Sequence, residues 1–499
     1  MNQESQVNKQ QFNIGTVLES PFSILLFKGI VTQIIYYYAS IFVMQQEQYI
    51  LTSFNGYKFV ENFVKLFPIM FLVSYEIPEF FEQYFANKKM ATYATGESVQ
   101  DITRQEFATN CIVAILMLAI PAAQPAIFSI LQVDSEYRAM FLLSTVLGIV
   151  GPFKSTVYSV FSLKQNYVYI MAGKMVTLMI HFFLFTFIYS FNTRETGFNT
   201  WPSGFSKPVA EIIVHVVILI TIFRGSIFST KINFEKDQHL KMNYRPQKKD
   251  FKYIGKNIMA FLQHFIFFTS RPVVYIFITL KIINNTNQQA KQNAIMDLYV
   301  YIFCQQSLAL ISKGTHCAIM TIMPIQLYYK QYAKMRRIIA VLCLIGFVID
   351  EITCTALVLK PNIIHIFFFN YRTDSILQKY YESSSSKRIL TKTAFLFGTE
   401  VYQTSSNIYA LMTNKHFIPL VMGIMRIIGG IYLVINIDSA LGLNAQYEEV
   451  FYYFELMCTI MAIIFTLQAY ISIFLNYKDS KTITEKQKAD IKQDEFMIQ

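Results

Sequence analysis

Residues 145–190 read TVLGIVGPFKSTVYSVFSLKQNYVYIMAGKMVTLMIHFFLFTFIYS. Two apolar runs flank the short polar step Ser162-Leu163-Lys164-Gln165-Asn166. A helix needs about 20 apolar residues to cross the hydrocarbon core of a bilayer, and each run is close to that length. The step between them leaves room only for an immediate reversal. The stretch therefore predicts two consecutive membrane-crossing helices joined by a tight turn.

Runs of the same kind recur on both sides of it. On the N-terminal side they lie at about 22–44, 60–82, 107–131 and 137–161, then at about 166–190 and 207–228. Towards the C-terminus they lie at about 254–281, 296–324, 336–359, 388–412, 416–436 and 450–476. The expected fold is all-α, a polytopic membrane protein of about twelve transmembrane helices in two six-helix lobes. The expected organisation is a polar tail (1–20), an N-lobe (21–228), a basic linker (229–253), a C-lobe (254–476) and a charged tail (477–499). That last tail is expected to be mobile or weakly helical.

Composition agrees with this reading. Hydrophobic residues make up 54% of the 499 and charged residues only 15%, whereas a soluble chain carries about 25% charge. An ordinary soluble enzyme, a disordered chain and a secreted disulfide scaffold are excluded. The net charge of +11 points to cytoplasmic loops rather than to nucleic acid. With both termini and the central linker on one side, that side holds 23 Lys and Arg against 12 on the other. Basic loops stay cytoplasmic, so both termini are expected there. Residues 1–20 are polar, so the first helix rather than a signal peptide is the expected targeting element. Cys111, Cys304, Cys317, Cys343, Cys354 and Cys458 all lie in apolar runs without a CxxC pair and read as small core residues.

Charge inside a bilayer is costly and points to function, to helix pairing, or to side chains reaching the interface. Asp350 and Glu351 are adjacent deep within IIAVLCLIGFVIDEITCTALVL. Neighbouring helical residues diverge by about 100°, so both cannot face lipid cheaply. Glu400 lies in FLFGTEVYQTSSNIYAL with Gln403 and further polar residues, a helix suited to lining water or another helix. His264 is a mid-span imidazole, able to titrate near neutrality or to sit hydrogen-bonded in a core. Arg271-Pro272 follows it by about two turns, where proline interrupts the backbone ladder. Glu400, Asp350, Glu351 and His264 are candidates for ion coupling. Gln33, Tyr37, Gln263, Arg271, Gln305 and Gln403 are candidates for a substrate cavity. No GxxxxGK[ST], HExxH or GxSxG motif is present, so enzymatic activity is not expected, nor is any metal or cofactor beyond proton or sodium coupling.

The six-plus-six division at a basic loop and the tight steps after the fourth and tenth helices together resemble the multidrug and toxic compound extrusion (MATE) family. The resemblance rests most on 145–190 and on 393–436, where Ala410-Leu411-Met412-Thr413-Asn414 echoes Ser162–Asn166. Tyr328–Arg337, a basic run entering the ninth helix, adds to it. The chain departs from the family's pattern in its first helix, where Thr32-Gln33-Ile34-Ile35-Tyr36-Tyr37-Tyr38 has no acid, and in its seventh and eighth, where Gln263, Gln305 and Gln306 stand in place of carboxylates. Glu400 lies within about one position of an acid common in the tenth helix of eukaryotic members. The resemblance implies a secondary antiporter that exchanges a small cationic or amphipathic organic molecule for protons or sodium by alternating access. Tyr36, Tyr37 and Tyr38 would meet an organic cation through their ring faces. The missing acids leave a second reading, a transport-inactive scaffold or accessory subunit with partners in a larger membrane complex. The expected partners are otherwise a lipid bilayer and a small-molecule substrate.

Overall fold

The computed structural model describes residues 23–94, 99–163, 167–195, 200–224, 245–308, 323–324, 326–359, 384–397, 399, 402, 407, 409–410, 413, 415, 417–440 and 447–497. These residues form helices and short connections, with no strand among them. In chain order the helices are α1 (Ser23–Phe71), α2 (Ile77–Ala94), α3 (Gln100–Met117), α4 (Gln124–Leu131), α5 (Arg138–Leu163), α6 (Tyr167–Glu195) and α7 (Trp201–Arg224). They continue with α8 (Lys248–Ile283), α9 (Gln288–Leu308), α10 (Tyr332–Leu359), α11 (Ser384–Phe397), α12 (Phe417–Ala440) and α13 (Tyr447–Met497).

The first helix is two arms. Gly56 adopts φ 55° and ψ −139°, a left-handed conformation that costs glycine little, and the helical ladder kinks there. The second arm carries Pro68 and passes through one π turn, Leu72–Glu76, into α2. A π turn accommodates an extra residue and re-aims the side chains after it. Glycine at 148 lets α5 close on that turn: a Cβ there would lie 2.2 Å from Val73 Cγ1.

Among the described residues, five segments are long and apolar enough to cross a membrane: Gln100–Ala122, Ile170–Phe191, Ile258–Ile283, Phe417–Asn436 and Glu449–Ile473. Their surfaces are inverted relative to a soluble helix. On α6, Met179, Phe183, Phe187 and Phe191 are exposed, while Lys174, Thr177 and His181 are buried. On α13, Ile460, Ile464, Leu467 and Ile471 face outward and Glu455, Thr459 and Thr466 face inward. Apolar residues gain by facing lipid and polar ones by facing each other. The protein is thus an all-helical, multi-pass membrane protein. Beyond its apolar part, α13 continues as one helix to Met497, so the charged tail extends the last helix.

Helices α1–α7 pack mainly on each other, as do α8–α13, and the two groups meet along α1, α2 and α3 against α8 and α9. One part of the seam is aromatic: Phe80, Phe81 and Tyr84 pack on Phe261, Phe265 and Phe268. The adjoining part is polar. Lys88 Nζ donates to Tyr253 Oη at 2.9 Å, Lys249 lies 3.4 Å from Asp101, and Arg104 Nε lies 3.5 Å from Asp250. Asp250 also accepts from the Gln247 backbone N–H at 2.7 Å and so caps α8 where it leaves the linker.

Candidate functional site

Within the first helical group lies a cavity of about 190 Å³, between the two arms of α1 and helices α5, α6 and α7. One wall is dictated by sequence spacing. Phe59, Phe63, Phe67, Phe71 and Tyr75 recur every fourth residue, which places them on one helix face. Their rings form a continuous ladder with centroids 5.6, 5.6, 5.3 and 5.1 Å apart, and all five line the cavity. Val60 and Val64, on the neighbouring face of the same arm, pack into the apolar core shared with α8 and α9.

The opposite pole is ionisable. Glu47 comes from the first arm of α1, His181 from α6, and Ser203 and Lys207 from the start of α7. Helix α7 reaches this position because Gly204 lies directly on the α5 backbone: a Cβ there would be 2.4 Å from the Met140 carbonyl oxygen. His181 is buried and held at both ring nitrogens. Nε2 lies 3.3 Å from Glu47 Oε2 and Nδ1 lies 2.9 Å from Ser206 Oγ. In the tautomer protonated at Nε2, the ring accepts from the Ser206 hydroxyl at Nδ1 and turns its N–H side towards Glu47.

Behind this pole lies a buried ion network. Lys154 Nζ donates to Glu211 Oε1 at 2.8 Å, and the other oxygen of Glu211 lies 3.4 Å from His215 Nδ1. Lys174 lies 3.5 Å from Glu82 and over three tyrosine rings: Tyr36 at 5.1 Å, Tyr158 at 5.6 Å and Tyr37 at 6.0 Å. The faces of Tyr36 and Tyr37, expected to meet an organic cation, are therefore occupied by a cation of the chain itself.

The residues nominated from sequence are dispersed. Tyr37 lines the cavity. Arg271 lies in the core of the second group, 3.1 Å from Glu455 on α13, and Tyr301 donates to the same carboxylate. His264 is fully buried with Nδ1 3.3 Å from Asn407 Oδ1. Gln305 is buried, Gln263 partly so, and Glu351 is half-buried on α10. Glu400 and Gln403, and the side chains of Gln33 and Asp350, lie outside the described residues.

Glu47, His181, Lys207 and the phenylalanine ladder were not nominated. Glu47 falls just outside the first apolar run, Lys207 stands at the edge of the sixth, and His181 is a lone imidazole. The signal that was available is the fourfold spacing from Phe59 to Tyr75.

No known family profile matches the sequence, and no curated protein matches it. Solved structures do. A MOP superfamily transporter from Pyrococcus furiosus, described by a reversed polarity of its binding pocket, superposes with a TM-score of 0.69 at 12% identity, over 92% of this chain and 98% of that one. The eukaryotic MATE transporter AtDTX14 superposes with a TM-score of 0.67 at 10% identity, over 97% and 99%. An outward-facing multidrug resistance MATE family transporter of the MOP superfamily gives 0.70 at 10%, over 93% and 98%. At such identities the likeness carries the architecture and not the chemistry: over more than nine-tenths of its length, the chain has the fold shared by MATE transporters of the MOP superfamily.

Proposed function

We propose that this protein is a secondary active transporter of the MATE type, exchanging a small amphipathic or cationic organic molecule for protons or sodium by alternating access. The observation that carries the reading is the N-lobe cavity, in which an aromatic ladder faces an ionisable pole. Ligand sites combine an apolar lining with a few convergent polar groups, and this cavity has both. Glu47 and His181 form the proton-binding element. They lie 3.3 Å apart at the pole of the cavity, where a substrate entering beside them would meet both. The surplus of cations in the linker and tails supports a topology with both termini in the cytoplasm.

The experiment is counterflow in proteoliposomes. A small fluorescent amphiphile is loaded on one side and a pH gradient or a sodium gradient is imposed. Gradient-driven movement in the wild type, lost or uncoupled in Glu47→Gln and His181→Gln, is the expected result. Movement unchanged in both variants removes the pair from coupling. The same assay on Glu400→Gln decides the role of that acid. No movement under either gradient overturns the transporter reading.

A further inference from the structure

We infer that the N-lobe cavity takes an amphipathic anion: an acidic head group, such as a carboxylate, at Lys207, and an apolar body laid along the ladder from Phe59 to Tyr75. This rests on reading that cavity as the substrate site.

Three observations carry it. The first is an imbalance among the lysines. In the first helical group, Lys65, Lys89, Lys154 and Lys174 each have a carboxylate partner, respectively Glu61, Glu106, Glu211 and Glu82. Lys207 lines the cavity but, among the described residues, has no hydrogen bond and no carboxylate at ion-pairing distance; Glu211 and Glu47 act on it only from farther away. An ammonium within a membrane protein is costly unless an opposite charge or water meets it. The second observation concerns the acid of the pole. Glu47 has His181 at 3.3 Å, so the acid of the pole already faces a polar partner of the protein. The third is that Lys174 already lies over Tyr36 and Tyr37. The aromatic faces suited to a cation are occupied there, and the cavity charge without a direct polar contact is the Lys207 ammonium.

The geometry also fixes an orientation. Ser203 lies on the first turn of α7 and Lys207 on the second, so the ammonium stands near the positive end of the helix dipole. The ladder faces them from α1. A ligand with its acidic group at α7 and its rings on α1 satisfies both walls at once.

The test uses two probes with the same bicyclic body and opposite heads, 2-naphthylacetate and 2-naphthylethylammonium. They are titrated calorimetrically into the full chain in phosphatidylcholine nanodiscs, with no gradient. The wild type is expected to bind the carboxylate at least about tenfold more tightly, which is about 1.4 kcal/mol. Lys207→Gln is expected to lose that preference and Lys207→Arg to keep it, with unfolding temperatures near the wild-type value as the control for folding. Equal or tighter binding of the ammonium probe by the wild type overturns the inference. So does undiminished carboxylate binding by a folded Lys207→Gln. Because no gradient is applied, a protein that shows the head-group preference but moves nothing in proteoliposomes refutes only the transport reading. One that transports but prefers the ammonium refutes only this inference.

Discussion

The two helical groups bury similar chemistry to different ends. In the first, Lys154, Glu211, His215 and Tyr158 lie on α5 and α7, the helices that also supply Ser144, Leu147 and Lys207 to the cavity. In the second, Arg271, Glu455 and Tyr301 are enclosed: the Arg271 side chain is 9% exposed and that of Glu455 1%. Tyr301 is stacked on Phe451 at 4.4 Å with its ring nearly parallel. The first cluster sits on helices that also line a cavity, whereas the second ties α8, α9 and α13 together. A buried ion pair is therefore no sign of a site by itself. The distinguishing feature is an open, partly unpaired wall beside it.

Breaking the enclosed pair sharpens this comparison most. Glu455→Leu leaves the Arg271 guanidinium buried without its anion, a change that costs about 3–5 kcal/mol. The expected result is a large fall in unfolding temperature in detergent. Arg271→Met combined with Glu455→Leu should recover most of it, because an apolar pair of similar volume replaces the ions. If the double variant is no more stable than the single, the pair is not what holds the three helices.

The next effect is steric. Gly204→Ala places a methyl group 2.4 Å from the Met140 carbonyl oxygen and 2.9 Å from its Cα, backbone atoms that cannot rotate away. Overpacking of this kind costs about 1–3 kcal/mol, and it would also push the cavity pole away from α5. Gly255→Ala is the control, since nothing lies within 4 Å of its Cβ. In a helix it should be neutral or stabilising by up to about 1 kcal/mol. Equal losses at both positions would show that α7 does not rest on α5 as described.

A third variant separates chemistry from packing. His181→Gln retains polar groups towards Glu47 and Ser206, so its stability should change by less than about 1 kcal/mol, within the range of one hydrogen bond. Its proton-coupled transport should nevertheless collapse. A large stability loss would place His181 with Arg271, as a structural residue.

The all-helical membrane architecture was legible in the sequence because apolar length is a direct consequence of bilayer thickness. Near Tyr409, Thr413 N–H reaches the Tyr409 carbonyl at 3.0 Å and Lys415 N–H that of Ala410 at 2.9 Å, while Leu411, Met412 and Asn414 of the expected step lie outside the described residues. The cavity was harder to foresee, for a physical reason. Apolar runs mark where lipid touches a helix, not where the helix ends. The first run stops near residue 44, yet α1 remains helical up to the kink at Gly56, and this carries Glu47 inward to His181. Lys207, at the edge of the sixth apolar run, is likewise already inside α7. Pairings such as Arg271 with Glu455 span 184 residues, a distance over which a single sequence offers no register.

The smallest expected effect lies at the seam between the two groups, in the polar connection after the second span. Lys88 donates to Tyr253 and sits 4.6 Å from the Tyr84 ring centre, and burial pushes its ammonium down to about 8. An unfolded lysine titrates near 10.4. Between about pH 8 and pH 10 the unfolded chain therefore binds more protons at this residue than the folded one does. Its contribution to stability rises with pH across that window. Below pH 8 both states are protonated and the full cost of burying the charge remains. Lys88→Met removes the charge. It should raise the unfolding temperature at pH 7 by an amount corresponding to about 1 kcal/mol, discounted for the lost contacts with Tyr253 and Tyr84. The margin over wild type should narrow as pH is raised from 7 to about 9.5. A margin independent of pH would mean that Lys88 stays hydrated and charged, and that the aromatic packing of Phe80, Phe81 and Tyr84 on α8 closes the seam without it.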